Sequence, residues 1–220
     1  MLAFGMVCAL LEARQSGKGQ VIDAAMTDGA ALMMTLPYTM HNEGVWSETR
    51  GSNLVDGGAP HYRTYRTADG KFVCVGAIEP KFYRNLLGVL GLGDNPLFRN
   101  PNRRSAWPEM SRRMEEIFAG RSRAEWEAAF SGVDACFAPV LSMAEAPSAA
   151  HNAARGTFLA EDGLVQPAPA PRFSRTPGAI ARPPAAAGAH TREALAEWGV
   201  GAADIERLLE SGVALQQGDG

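Results

Sequence analysis

The run from Tyr62 to Val75 constrains the fold more than any other stretch of this 220-residue chain. Tyr62-Arg63-Thr64-Tyr65-Arg66-Thr67 alternates like a half-buried strand, Asp69-Gly70 is a strong turn signal, and Phe72-Val73-Cys74-Val75 returns, so an antiparallel hairpin is expected. Helical patterns follow it. Glu79-Pro80 opens the first, with proline at the position where its missing amide costs nothing, Phe82, Leu86 and Leu90 as an apolar stripe and Gly91 as the stop. Trp107-Pro108 opens the second, with Met110, Met114 and Ile117 facing inward and Glu109 paired forward to Arg113. Ser122 to Glu125 is a capping box for the third, which carries Trp126 and Phe130. Cys136 to Val140 reads as a closing strand, so residues 61–141 are expected to form one small α+β domain.

The flanks read differently. Met1 to Leu11 carries no charge, lacks the basic leader of a signal peptide and is expected to be a buried helix ending at Ser16-Gly17. A buried helix that starts at the first residue without a cap is expected of a chain that begins inside a domain. Gly19 to Ile22 reads as a short β-type stretch. From Ala24 the residues Met26, Ala30, Met33 and Met34 fall at helical spacing up to Pro37, with Asp23 as the cap. Residues 1–40 are thus one segment, and 41–60, with Gly44, Gly51, Gly57 and Gly58, are a long connection between domains. In 142–220, the stretch 165–190 holds six of the fourteen prolines and wraps over a surface; two short helices follow at 191–198 and 204–210.

Composition narrows the function classes. Hydrophobic residues at 46%, charged residues at 20% and a net charge of −3 describe an ordinary globular chain and argue against nucleic acid, which calls for a basic face. No apolar run reaches the ~20 residues that span a bilayer, so no membrane partner is expected. Cys8, Cys74 and Cys136 form neither a metal motif nor a disulfide framework; they read as small buried hydrophobes in a reducing, cytoplasmic compartment, with no metal site. No phosphate loop, nucleophile elbow or dinucleotide fingerprint occurs. Three features remain: the loop Gly51 to Pro60 (GSNLVDGGAP), Ile78-Glu79-Pro80, and the methionines Met26, Met33, Met34 and Met40, whose thioethers suit either a core or a surface accepting variable apolar groups. A carboxylate such as Glu79 at a helix start can equally be a simple cap.

The segments GKGQVIDAAMTDGA, TRGSNLVDGGAPHYRTYRTADGKFVCVGAIEPKFY, PAPRFSRTPG and AGAHTREALAEWGV resemble the family III CoA-transferases, and DGGAP and AIEP are most similar to its α-methylacyl-CoA racemase branch. The resemblance covers nearly the whole chain. It implies an α/β fold: an incomplete Rossmann-like large domain in 1–40, the small α+β domain, and an interlocked homodimer in complete members. It implies an isomerase that inverts the α-carbon of 2-methylacyl-CoA thioesters through an enolate with no cofactor, coenzyme A being part of the substrate. Within the family one base is a His supported by a Glu and the other an Asp; the resemblance places both His and Asp upstream of this sequence and matches the Glu to Glu79. It further implies substrate-binding roles for Met26, Met33, Met34, Met40 and Tyr62, and a loop near the active site at Asn53, Asp56, Gly57 and Gly58. His61 has no partner carboxylate in this reading and is not expected to replace the missing base, and Asp23, Asp28 and Asp56 read as caps or loop anchors. This chain alone is expected to be inactive. The alternatives are an acyl-CoA:carboxylate CoA-transferase of the same family and a non-catalytic fragment or accessory chain.

Overall fold

The charge-free start folds as helix α1 (Leu2–Ser16) in the computed structural model, which describes residues 1–161 and 163–217. Gly17 closes it at φ 74°, its N–H donating to the Ala13 carbonyl at 2.9 Å. The expected burial is corrected: no residue of α1 is buried, and Leu2, Phe4, Val7 and Leu10 are each more than half exposed. An apolar helix is buried only where another element covers it, and here Ile22 comes against Gly5 while Gly5, Ala9 and Ala13 are no more than half-buried. Residues 19–22 form no strand, because a strand needs a second backbone to pair with and none pairs there. Helix α2 (Met26–Met33) starts at Ala25 with no side-chain cap, so Asp23 does not cap it. Helix α3 (Thr35–Asn42) runs through Pro37, whose missing N–H falls in the first turn, where it has no intrahelical partner to lose.

Residues 1–141 form one compact unit and 142–220 a second. In the first unit, β1 (Tyr62–Arg66) pairs antiparallel with β2 (Phe72–Gly76), in the register Tyr62↔Gly76, Thr64↔Cys74 and Arg66↔Phe72. The turn carries Gly70 at φ 77°, as the Asp-Gly signal requires. Helices α4 (Pro80–Val89), α5 (Trp107–Phe118) and α6 (Arg123–Ala129) follow, and β3 (Phe137–Val140) adds to the other edge of β2. The capping box forms as read: Ser122 Oγ accepts from Glu125 N, and the Glu125 carboxylate accepts from Ser122 N at 2.8 Å. The expected Glu109–Arg113 pair is replaced by Glu109–Arg112 at 2.6 Å and Arg113–Glu116 at 3.2 Å, each spaced one residue closer.

Period-two alternation then builds the core. Tyr65, Val73 and Val75 point inward to meet Leu86, Met110, Met114 and Phe118, all within one buried cluster. Tyr65 stacks on Phe118 at 4.8 Å, Phe118 meets the edge of Trp126 at 5.0 Å, and Phe130 stacks on Phe137 at 4.1 Å. Ala59 is fully buried in the same cluster and Leu54 packs against it, so the 51–60 loop is part of the core. The same alternation corrects the reading of the cysteines as buried. Cys74 lies on the outward face and is half-buried, while Cys136, ahead of β3, and Cys8 are exposed.

In the second unit α7 (Ala150–Arg155) precedes a hairpin of β4 (Phe158–Glu161) and β5 (Leu164–Pro167). Helices α8 (Thr191–Glu197) and α9 (Ala202–Glu210) follow the proline-rich segment, with Ile205 buried and Arg192 paired to Glu206. No helix among the described residues is long and apolar enough to cross a membrane.

Candidate active site

The 51–60 loop is organised by one carboxylate. Asp56 accepts hydrogen bonds from the backbone N–H groups of Gly51, Ser52, Asn53 and Gly58 and from Asn53 Nδ2, the shortest at 2.8 Å. Burial alone would raise its carboxyl pKa, but these donors outweigh burial and hold it below the ordinary carboxylate value. Asn53, itself buried, clasps Ser47 through both ends of its amide, at 2.8 and 2.9 Å. Gly58 must be glycine, because a Cβ there would lie 2.8 Å from the backbone of both Asn53 and Gly51. Tyr65 ties the end of the loop down by donating from its hydroxyl to the Pro60 carbonyl at 2.6 Å.

That anchored loop presents Val55 and Gly57 to a depression of about 550 Å³ on the outer face of the sheet, where Tyr62, Cys74, Gly76 and Cys136 also line it. The volume falls in the range of small-molecule sites. Cys136 is the one non-glycine residue with positive φ, 49°, among the described residues, and its carbonyl accepts from Gly76 N at 2.9 Å. Its thiol pKa is raised, first by the little burial it has and then by the negative charges of Glu79 and Asp134.

Glu79 follows Gly76 by three residues in the chain. It stands at the N-cap of α4, exposed, and its side chain makes no capping hydrogen bond. A cap earns its position by accepting from the first-turn amides, and this carboxylate does not. Lys81, on the first turn of α4, pairs instead with Asp134 at 3.2 Å.

The remaining residues singled out from the sequence are placed as follows. Tyr62 and Gly57 line the depression; Asn53, Asp56 and Gly58 build the loop beside it. The methionines do not line it: Met26 and Met33 are 92% and 85% exposed on α2, and Met34 borders a smaller pocket of about 220 Å³ with Tyr38, His41 and Trp46. Met40, half-buried on α3, accepts from Val45 and Trp46 through its carbonyl. His61 is only 1% exposed, with its ring edge-on to Tyr83 at 5.4 Å. Its Nδ1 is the buried side-chain atom without a protein partner among the described residues, and burial lowers its pKa, so it is held neutral. Sequence reasoning missed Cys136, Gly76 and Val55; the strand register that pairs Tyr62 with Gly76 was the signal that could have found them.

A second depression of the same volume meets Gly57 and Arg63 and reaches Arg104, Trp107 and Glu115. Its guanidiniums are largely committed: Arg63 pairs with Glu115 at 3.1 Å, and Arg112 is held between Glu109 and Glu116. It offers an anion little net charge.

A three-stranded antiparallel sheet backed by helices, with a glycine-rich loop packed into its core, defines a partial mixed α/β fold. The chain belongs to CoA-transferase family III, whose model matches residues 1–191. It is 43% identical over 220 residues to alpha-methylacyl-CoA racemase of Mus musculus, covering 96% of this chain and 57% of that protein. It is likewise 43% identical to the Homo sapiens racemase, covering 94% of this chain and 55% of that protein. The chain thus spans about half the length of these relatives. Among solved structures it superimposes on Rv3272 of M. tuberculosis with a TM-score of 0.63 at 20% identity, over 86% of this chain and 49% of that one.

Proposed function

We propose that this chain is the Glu79-bearing portion of an α-methylacyl-CoA racemase-like enzyme, which inverts the carbon alpha to a thioester carbonyl. The observation that carries the reading is the Glu79 carboxylate, exposed at the start of α4 and free of any capping bond, three residues after Gly76 of the depression that the Asp56-anchored loop walls. The 43% identity to two racemases supports it.

The chemistry asks for a base on one face of the α-carbon, an acid on the other, and donors for charge developing on the thioester oxygen. In this proposal the His and Asp bases come from a segment upstream of this sequence, and Glu79 is a positioning residue. Its negative charge fixes the tautomer of the His and stabilises the imidazolium formed when the α-proton is taken; return of a proton from the opposite face completes the inversion. No oxidant, metal or electron carrier enters this balance.

The test is α-deuterium incorporation into 2-methylacyl-CoA in deuterated water. A polypeptide joining this chain to an upstream segment with the two bases is expected to exchange the α-proton, and this chain alone is expected not to. Transfer of CoA to a free carboxylate without exchange would assign the transferase reading instead.

A further inference from the structure

Buried polar atoms normally find partners, and His61 departs from that rule. Its side chain is enclosed, and Nδ1 has no hydrogen-bond partner among the described residues. A neutral imidazole has one N–H and one bare nitrogen, so it can occupy this seat with Nδ1 bare. An imidazolium carries an N–H on both nitrogens. The one at Nδ1 would then be a buried donor on a charged ring with nothing to accept it. The seat therefore fits the neutral ring and rejects the charged one on geometry alone.

What that seat holds is the turn that carries Glu79. The His61 carbonyl accepts from Ala77 N at 2.9 Å, just past the end of β2, and Ala77 is fully buried. The His61 ring meets Tyr83 of α4 edge-on at 5.4 Å. Tyr83, itself buried, donates its N–H to the Glu79 carbonyl at 3.0 Å and its hydroxyl to the Phe98 carbonyl at 2.9 Å. One residue thus grips the segment 77–83 at both ends, through its backbone at Ala77 and its ring at Tyr83. Ile78, Glu79 and Pro80, between the grips, are exposed, so burial fixes the segment at its ends.

The charged groups on the elements around the ring are Asp56 on the loop, Arg63 on β1, and Glu79, Lys81 and Arg84 at the turn and on α4. Asp56 is taken up by its loop donors, Arg63 by Glu115 and Lys81 by Asp134. Burial is the cause that lowers the His61 pKa. Burial also raises the pKa of Tyr83, the titratable group against the ring, which stays neutral.

We propose that His61 is the positioning residue for Glu79 and works only as the neutral ring: protonation unseats it and frees the segment 77–83 while the core under the sheet stays packed. The bearing on catalysis rests on the role given to Glu79 above. An open segment takes up the proton at the ordinary histidine value of 6.5, and the closed one resists it. The open population therefore rises as pH falls below 6.5, by at most about tenfold per pH unit for one proton.

The test is amide hydrogen exchange in the whole chain, followed by NMR across pH 5 to 7.5 and corrected for the intrinsic pH dependence of exchange. Ala77 and Tyr83 report on the segment, and Met114 and Phe118 of α5 report on the core. From pH 6.5 to 5, protection at Ala77 and Tyr83 is expected to fall by up to about thirtyfold. Those openings are expected to be insensitive to low urea, with Met114 and Phe118 better protected at every pH. His61→Phe, which keeps an aromatic ring against Tyr83, is expected to make protection at Ala77 and Tyr83 independent of pH. Should that variant fail to fold, the wild-type profile decides. Wild-type protection at Ala77 and Tyr83 that ignores pH overturns the proposal. Exchange of all four amides in step makes His61 an ordinary core residue and overturns it too, as does an unchanged pH dependence in His61→Phe. The experiment contains no acyl-CoA, so its failure strikes the clamp and leaves the racemase reading to the deuterium test.

Discussion

His61 is the residue whose structural and catalytic readings part most clearly. A histidine in the core beside the 51–60 loop invites a role as a base, yet this one is enclosed, with Nδ1 unpartnered among the described residues. Burial lowers its pKa in the folded chain, so folding favours the neutral ring. The stability this contributes is complete above the ordinary histidine value of 6.5 and is lost as pH falls below it, because the unfolded state then binds a proton that the folded state resists. His61→Phe keeps the ring against Tyr83 and removes the titration. Urea unfolding of wild type and variant across pH 5 to 7.5 is expected to show wild type losing stability relative to His61→Phe only on the acid side; parallel profiles would contradict the account. The sequence reading withheld a catalytic role from His61 but did not foresee its enclosure. That enclosure depends on Tyr83, twenty-two positions away, and on how the 51–60 loop closes.

At the scale of elements, what was legible is what local chemistry decides. The β1–β2 hairpin follows from alternation and Asp69-Gly70, and α6 follows from Ser122 and Glu125, whose reciprocal bonds need no distant partner. Ser122→Ala is therefore expected to cost about 1 kcal/mol in a denaturant titration. Phe118→Ala, which removes a fully buried ring between Tyr65 and Trp126, is expected to cost about 3–5 kcal/mol. Near-equal losses from the two changes would contradict the packing described. What was not legible depends on neighbours: the apolar pattern of α1 marks a helix without saying what covers it, and β propensity at 19–22 makes no strand without a partner. The positive φ of Cys136 lies in the same class, since cysteine carries no local preference for that conformation. The residues themselves singled out Glu79 and the 51–60 loop, whereas the depression at Tyr62 and Gly76 appeared only once the register set the two opposite each other.

For the whole molecule, residues upstream of 61 pack with the sheet and its helices. A limit at residue 61 would cut off Ala59, which is in the core, and Pro60, whose carbonyl receives the Tyr65 hydroxyl. The Asn53 clasp on Ser47 and the Arg104 bond to the Val45 carbonyl, 2.6 Å, extend the unit further. A segment of residues 45–141 is expected to unfold in one cooperative thermal transition with a near-ultraviolet signal, and 61–141 at a lower midpoint. A broad transition without that signal from 45–141 would contradict the assignment.

The most direct test of the account is Glu79→Gln in a polypeptide that joins this chain to an upstream segment carrying the His and Asp. Glutamine keeps the size of the side chain and removes its charge, and no capping bond is at stake. If Glu79 holds and charges the catalytic histidine, α-deuterium incorporation into 2-methylacyl-CoA falls by tens-fold or more while stability changes by less than ~1 kcal/mol. Equal exchange rates for wild type and Glu79→Gln would contradict the central claim.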